Sequence, residues 1–139
     1  MHVLVISSGY PNDYEPLDGI FYRDQAEALK VAGHRVGVIS AIPISIFSFV
    51  KSQKWRFGKR KIVQNGVPTF TWTYLNRPKS PNYLVKKARR YGMILMEAYV
   101  QEFGEPDVVH LHCYEGGELA KTIKEKYGIP YIEIGRAHV

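Results

Sequence analysis

Two short β-branched runs, Val3-Leu4-Val5-Ile6-Ser7 and Arg35-Val36-Gly37-Val38-Ile39-Ser40, bracket a stretch with helical spacing. Runs this short that are apolar throughout, rather than alternating, fit strands covered on both faces. Between them, residues 8–19 hold Pro11, Asn12, Asp13, Pro16, Asp18 and two glycines and read as a loop. Residues 20–32 can place Phe21, Ala28, Leu29 and Ala32 on one helical face, and Gly33 supplies the stop. Strand, helix and strand in that order close as a right-handed crossover, which makes the two strands parallel.

The pattern continues downstream. Residues 41–61 present no assignable element, but 62–64 and 67–74 flank Asn65-Gly66, a pair that favours the tight turns joining antiparallel strands. Residues 83–103 carry Leu84, Ala88, Tyr91, Leu95, Ala98 and Tyr99 at helical spacing and close on Gly104 and Pro106, with Gly92 a weak point inside the helix. A strand over 107–112, a helix over 117–127 ending at Gly128 and a strand over 130–134 complete the series. The expected fold is α/β: a doubly wound, mostly parallel, Rossmann-like sheet in one domain.

Composition narrows the setting. Ten tyrosines, six phenylalanines and two tryptophans in 139 residues exclude a disordered chain, which would lack that much apolar area to bury. The formal charge of +6 suits an anionic partner, be it phosphate, a membrane surface or nucleic acid. A lone cysteine, Cys113, forms no internal disulfide and fits a reducing compartment. The apolar start has no basic residue before it and is too short for a leader. The later apolar run over 41–50 is broken by Pro43 and serines, well short of the ~20 residues a spanning helix needs. A cytoplasmic location is expected.

In an open parallel sheet, ligands bind beyond the C-terminal ends of the strands. Two segments end there. Gly19 opens the first helix, so the N–H groups after it can cradle an anion, or it serves only as a turn or cap. A dinucleotide Gly-x-Gly-x-x-Gly after the first strand and a Walker-type Gly-Lys-Ser/Thr are both absent, which disfavours ordinary NAD and ATP folds. The second segment is Val108-Val109-His110-Leu111-His112-Cys113-Tyr114-Glu115. His110 and His112 share a strand face, and His112 points into the crevice, where an imidazole can move a proton or bind a hydroxyl. Zinc held by His110, His112 and Cys113 is the weaker alternative, because the spacing matches no established site. Arg23, one turn into the first helix, and Glu115 beyond His112 are further candidates for substrate contact.

Taken together, Tyr10-Pro11, Gly19-Ile20-Phe21, Gln25-Ala26, Ala28-Leu29, Gly33-His34-Arg35-Val36, Asp107-Val108-Val109-His110-Leu111-His112, Gly117 and Tyr127-Gly128-Ile129-Pro130-Tyr131 resemble the N-terminal domain of family 4 glycosyltransferases of the GT-B fold. The resemblance runs to about Ile132. It implies two Rossmann-like domains across a cleft, this one on the acceptor side and a C-terminal one holding a nucleotide-diphosphate sugar. It further implies retention of anomeric configuration, no bound metal and no cofactor beyond the sugar donor as substrate. Gly19 then maps to the loop near the donor phosphates and His112 to the active cleft. The acceptor would be a glycan or lipid-linked, as in polysaccharide biosynthesis. The Gly-Gly pair of many members is here Asp18-Gly19, and the donor-binding half with its paired glutamates is absent. Residues 133–139 match translated sequencing-adapter DNA (GAG ATC GGA AGA GCA CAC GTC), so the native domain is expected over 1–132 and the fragment alone is expected to be inactive.

Lys51, Lys54, Arg56, Lys59, Arg60 and Lys61 put six positive charges in eleven residues without an acid, with Trp55 and Phe57 interleaved. Lys54, Trp55, Arg56, Lys59, Arg60 and Lys61 fit docking on an anionic inner membrane leaflet, with Lys86, Lys87, Arg89 and Arg90 adding to the face; a merely solvated surface fits equally. A nucleic-acid-binding module is a lesser alternative and no nucleic acid is expected as partner, since no such module is recognisable. A stand-alone acceptor-binding half working with a separate chain is another.

Overall fold

The computed structural model describes residues 1–7, 19–46, 50, 57–77, 82–112 and 116–133. Its elements are β1 (His2–Ser7), α1 (Ile20–Val31), β2 (Arg35–Ile44), β3 (Gly58–Gln64), β4 (Val67–Leu75), α2 (Tyr83–Phe103), β5 (Val108–Leu111), α3 (Gly117–Tyr127) and β6 (Tyr131–Glu133). They form one six-stranded sheet in the order β3-β4-β2-β1-β5-β6. All neighbours are parallel except β3, which pairs antiparallel with β4. The expected α/β, mostly parallel, Rossmann-like arrangement is what the chain adopts.

Strand alternation divides the core in two. Leu4, Ile6, Ile39, Val109 and Leu111 meet Leu95, Tyr99, Leu119 and Ile123 of α2 and α3 on one face. Val3, Val5, Val36, Val38 and Val108 meet Ala26 and Leu29 of α1 on the other. Every residue of β1 is buried, which is why its sequence shows no polar alternation.

Several local expectations change. The apolar face expected for α1 is rotated: Phe21 is 64% exposed, Ala28 and Ala32 are exposed too, and Ala26 and Leu29 do the packing. β2 runs on to Ile44 despite Pro43. Beyond Ser40 it pairs with β4 alone, and a strand free on one side tolerates a residue without an N–H. β3 starts at Gly58, earlier than its apolar residues indicate. It is an edge strand open to solvent, where lysines suit the need to block further pairing. The hairpin turn is as expected, with Asn65 (φ 52°) and Gly66 (φ 77°) both left-handed, and Asn65 Nδ2 donates to Glu27 Oε1 at 2.7 Å.

Helix α2 is continuous through Gly92. A Cβ there would collide with Leu119, so the glycine lets α2 and α3 pack closely. At the N-terminal end of the sheet, the buried Tyr99 ring occupies the space a side chain at Gly37 would need. Its hydroxyl is 2.6 Å from His2 Nε2, and burial pushes its pKa up to about 12. Asp107 accepts the His2 N–H at Oδ2 (2.7 Å) and returns its own N–H to the His2 carbonyl (2.7 Å).

Gly37→Ala is expected to destabilise the domain by about 2 kcal/mol, the cost of forcing an aromatic ring out of a filled site. Urea denaturation measures it; an unchanged midpoint would show that Tyr99 has room to yield.

Candidate functional site

Strand order reverses at β1: β2 and β4 follow on one side, β5 and β6 on the other. The first crossover helix therefore covers one face and the later two cover the opposite face, leaving a crevice between the C-terminal ends of β1 and β5. Ser7, His112 and the start of α1 border it.

His112 lies one step past β5. Its N–H donates to the Ile6 carbonyl at 3.0 Å, extending the ladder with β1. Alternation from Val108 through His110 sets its ring on the α1 face. There it meets Tyr22, with ring centroids 5.2 Å apart and planes inclined 44°. His112 is half-buried, and burial, then the charge of His110, lowers its pKa below the ordinary imidazole value. His110, on the same face, is lowered by burial and then by His34. The neutral imidazole that results carries one donor and one acceptor.

Gly19 caps α1 in the left-handed conformation (φ 66°, ψ 21°), without a side-chain cap. Its carbonyl accepts the N–H groups of Tyr22 (3.0 Å) and Arg23 (3.2 Å). The N–H groups of Ile20 and Phe21 belong to the first turn and have no intrahelical acceptor, so two donors face out at the helix end where the backbone dipole is positive. Arg23 is 28% exposed and lies 3.5 Å from its neighbour Asp24, a loose surface pair. Glu115 and Cys113, like Lys54, Trp55 and Arg56, lie outside the described residues. Among the described residues no three His, Cys, Asp or Glu side chains converge as metal ligands, and no helix is long and apolar enough to cross a membrane.

The basic run does not form one face over its described part. In β3, Lys59 and Lys61 oppose Trp72 and Phe70 on the α2 face, whereas Arg60 opposes Thr71 on the α1 face. Lys61 is committed to Glu102 and lies over the Phe103 and Phe70 rings.

Tyr22 is a site residue that no motif along the sequence marks, and Phe21, expected on the buried helical face, is instead exposed beside it. Tyr22 packs against His112, and Phe21 presents an exposed aromatic face in the first turn of α1, edge-on to Tyr22. Both follow directly on Gly19-Ile20, where the helix rises from the crevice. Asp107, by contrast, is a backbone anchor for β1 and reaches no ligand position.

No protein-family profile matches the chain. The chain is 25% identical over 138 residues to a Bacillus subtilis (strain 168) protein named "Putative teichuronic acid biosynthesis glycosyltransferase TuaC", an alignment covering 95% of this chain and 35% of that protein. It thus spans about a third of the length of the relative it matches. The likeness supports a glycosyltransferase-like domain.

His2, His110 and His112 all have lowered pKa values, chiefly through burial. The unfolded chain therefore binds more protons near ~6.5, and stability is present above that pH and lost as pH falls below it toward the folded values. Urea midpoints taken from about pH 8 to about pH 5 are expected to fall, and the fall to shrink in His110→Gln/His112→Gln. A flat profile would mean these rings titrate normally.

Proposed function

We propose that this domain forms the acceptor side of a glycosyltransferase that moves a sugar from a nucleotide-diphosphate sugar to a glycan or lipid-linked acceptor, with retention of configuration. The observation that carries this reading is the convergence, at the point where strand order reverses, of a helix start whose first N–H groups have no partner among the described residues and a neutral histidine. One end can hold developing negative charge and the other a hydroxyl. The similarity to a protein named as a glycosyltransferase supports it.

In this reading the leaving diphosphate is met by the N–H groups of Ile20 and Phe21, which Gly19 leaves pointing out of α1. Fixed donors of this kind need no reorganisation as charge develops. His112, steadied by Tyr22, hydrogen-bonds a hydroxyl of the acceptor or the transferred sugar. Phe21 gives the sugar ring an apolar face to lie on, and Arg23 adds positive charge at the rim. Acceptor hydroxyl and leaving phosphate then lie on the same side of the sugar, and most of the rate comes from holding them together. The donor's nucleotide is held by a second α/β domain opposite this one.

The test is to read the gene past the codon for Ile132, express the complete frame and assay transfer from a panel of nucleotide-diphosphate sugars. His112→Ala is expected to lower kcat/KM by about 100-fold. A stop codon directly after Val139 with no transfer would leave acceptor binding alone. Full activity in His112→Ala would remove the histidine from the mechanism.

A further inference from the structure

Helix α2 does not lie flat on the sheet. Its last turns carry the fully buried Leu95 and Tyr99, but Leu84 and Ala88, on the same stripe, are only half-buried. Three of the residues around them are small or short, Ala41 and Pro43 of β2 and Gly116 before α3, while Tyr74 borders the same space. What remains is a cavity of about 110 Å³ whose walls include Ile6, Ile39, Pro43, Leu84, Ala88 and Leu119. An apolar cavity of about 150 Å³ accepts benzene, so this one has room for about four or five carbons. Left empty it weakens the fold, because its lining atoms lack packing partners.

A second and wider hollow, about 420 Å³, adjoins it. Leu84 and Ala88 line the first, and the next residues, Val85 and Arg89, line the second; Gly116 and Gly117 do the same. Asn82, Lys86 and Glu118 complete its walls. Lys86 and Arg89 have no acidic partner among the described residues. The neighbouring cations differ: Lys87 and Arg90 lie over the Tyr91 ring, and Lys61 and Lys126 pair with Glu102 and Glu97. All four basic residues of α2 fall in its first eight positions and its acids in the second half, the reverse of what the backbone dipole favours. Intrahelical stability therefore does not account for Lys86 and Arg89.

A mostly apolar slot beside a hollow that holds two cations, without acidic partners among the described residues, and one carboxylate, Glu118, has the chemistry of an amphiphilic anion. We infer that this is a binding site for a lipid-phosphate-like ligand, its first apolar carbons beneath Leu84 and Ala88 and its phosphate between Lys86 and Arg89. The slot reaches Ile6 and Ser7, and the Ile6 carbonyl holds His112, so it opens at the same sheet edge as the candidate site, from the opposite face. That the ligand is the sugar acceptor rests on the function proposed above; that it binds here does not.

Geranyl phosphate, geraniol and inorganic phosphate, titrated into the 139-residue protein by calorimetry below the aggregation concentration of the lipid, test the site. Geranyl phosphate is expected to bind about tenfold more tightly than either fragment, since only it satisfies both hollows. Ala88→Phe and the milder Ala88→Leu, which fill the slot, and Lys86→Gln/Arg89→Gln, which discharges the hollow, are each expected to weaken it about tenfold. Equal binding of geranyl phosphate and inorganic phosphate by the unaltered protein overturns the proposal without need of any variant. So does undiminished geranyl phosphate binding in both Ala88 variants. Recovery on phosphatidylglycerol vesicles without binding of monomeric geranyl phosphate also overturns it, leaving only a charged face. Tight binding here alongside no sugar transfer by the complete protein would retain this site and reject the transferase.

Discussion

The six residues of β1 lie under helices on both faces and pair with a strand on each side. No side chain there can satisfy itself with water, so the strand has to be apolar throughout and its backbone fully bonded. The chain meets both demands by running successive crossovers outward from β1, first over one face and then over the other. That choice obliges the strand order to reverse at β1, and the reversal opens the crevice. The candidate site is thus a consequence of how the central strand is buried.

The two ends of β1 are treated differently. At the start, His2 is held through its backbone by Asp107 and through its ring by Tyr99, Gly37 makes room for that ring, and Arg35 donates to the Phe103 carbonyl at 2.6 Å. Each of these polar groups has a protein partner. At the other end the first helix donors after Gly19 have no partner among the described residues, Phe21 is 64% exposed, and the slot beneath Leu84 and Ala88 stays unfilled. Stability is concentrated where nothing needs to bind, and unmet polar and apolar surface gathers where a ligand can meet it.

Much of this could be read from the residues. The spacing of Leu84, Ala88, Tyr91, Leu95 and Tyr99 marked the inward stripe of α2, fully buried only at Leu95 and Tyr99, because a long helix repeats its period often enough to leave one solution. Asn65-Gly66 gave the hairpin, because the turn needs two positive φ angles. The short α1 misled: with several alanines around its circumference, periodicity could not choose between the stripe with Phe21 and the one with Tyr22, Ala26 and Leu29. The charges of β3 hid a strand, since an edge strand open to solvent need not alternate. They also looked like one basic patch, which pleating divides between two faces.

For the site, the sequence by itself determined that a histidine follows directly on the fifth strand and that a glycine opens the first helix, because chain position relative to a parallel sheet fixes which end each residue occupies. Tertiary structure alone decided that Tyr22 meets His112, that Asp107 serves β1 rather than a ligand, that Gly92 makes room for Leu119, and that Lys86 and Arg89 line a hollow beside a mostly apolar slot. Those facts depend on which faces meet and how closely. Packing distance between elements is settled by all the side chains at once, and no local pattern along the chain records it.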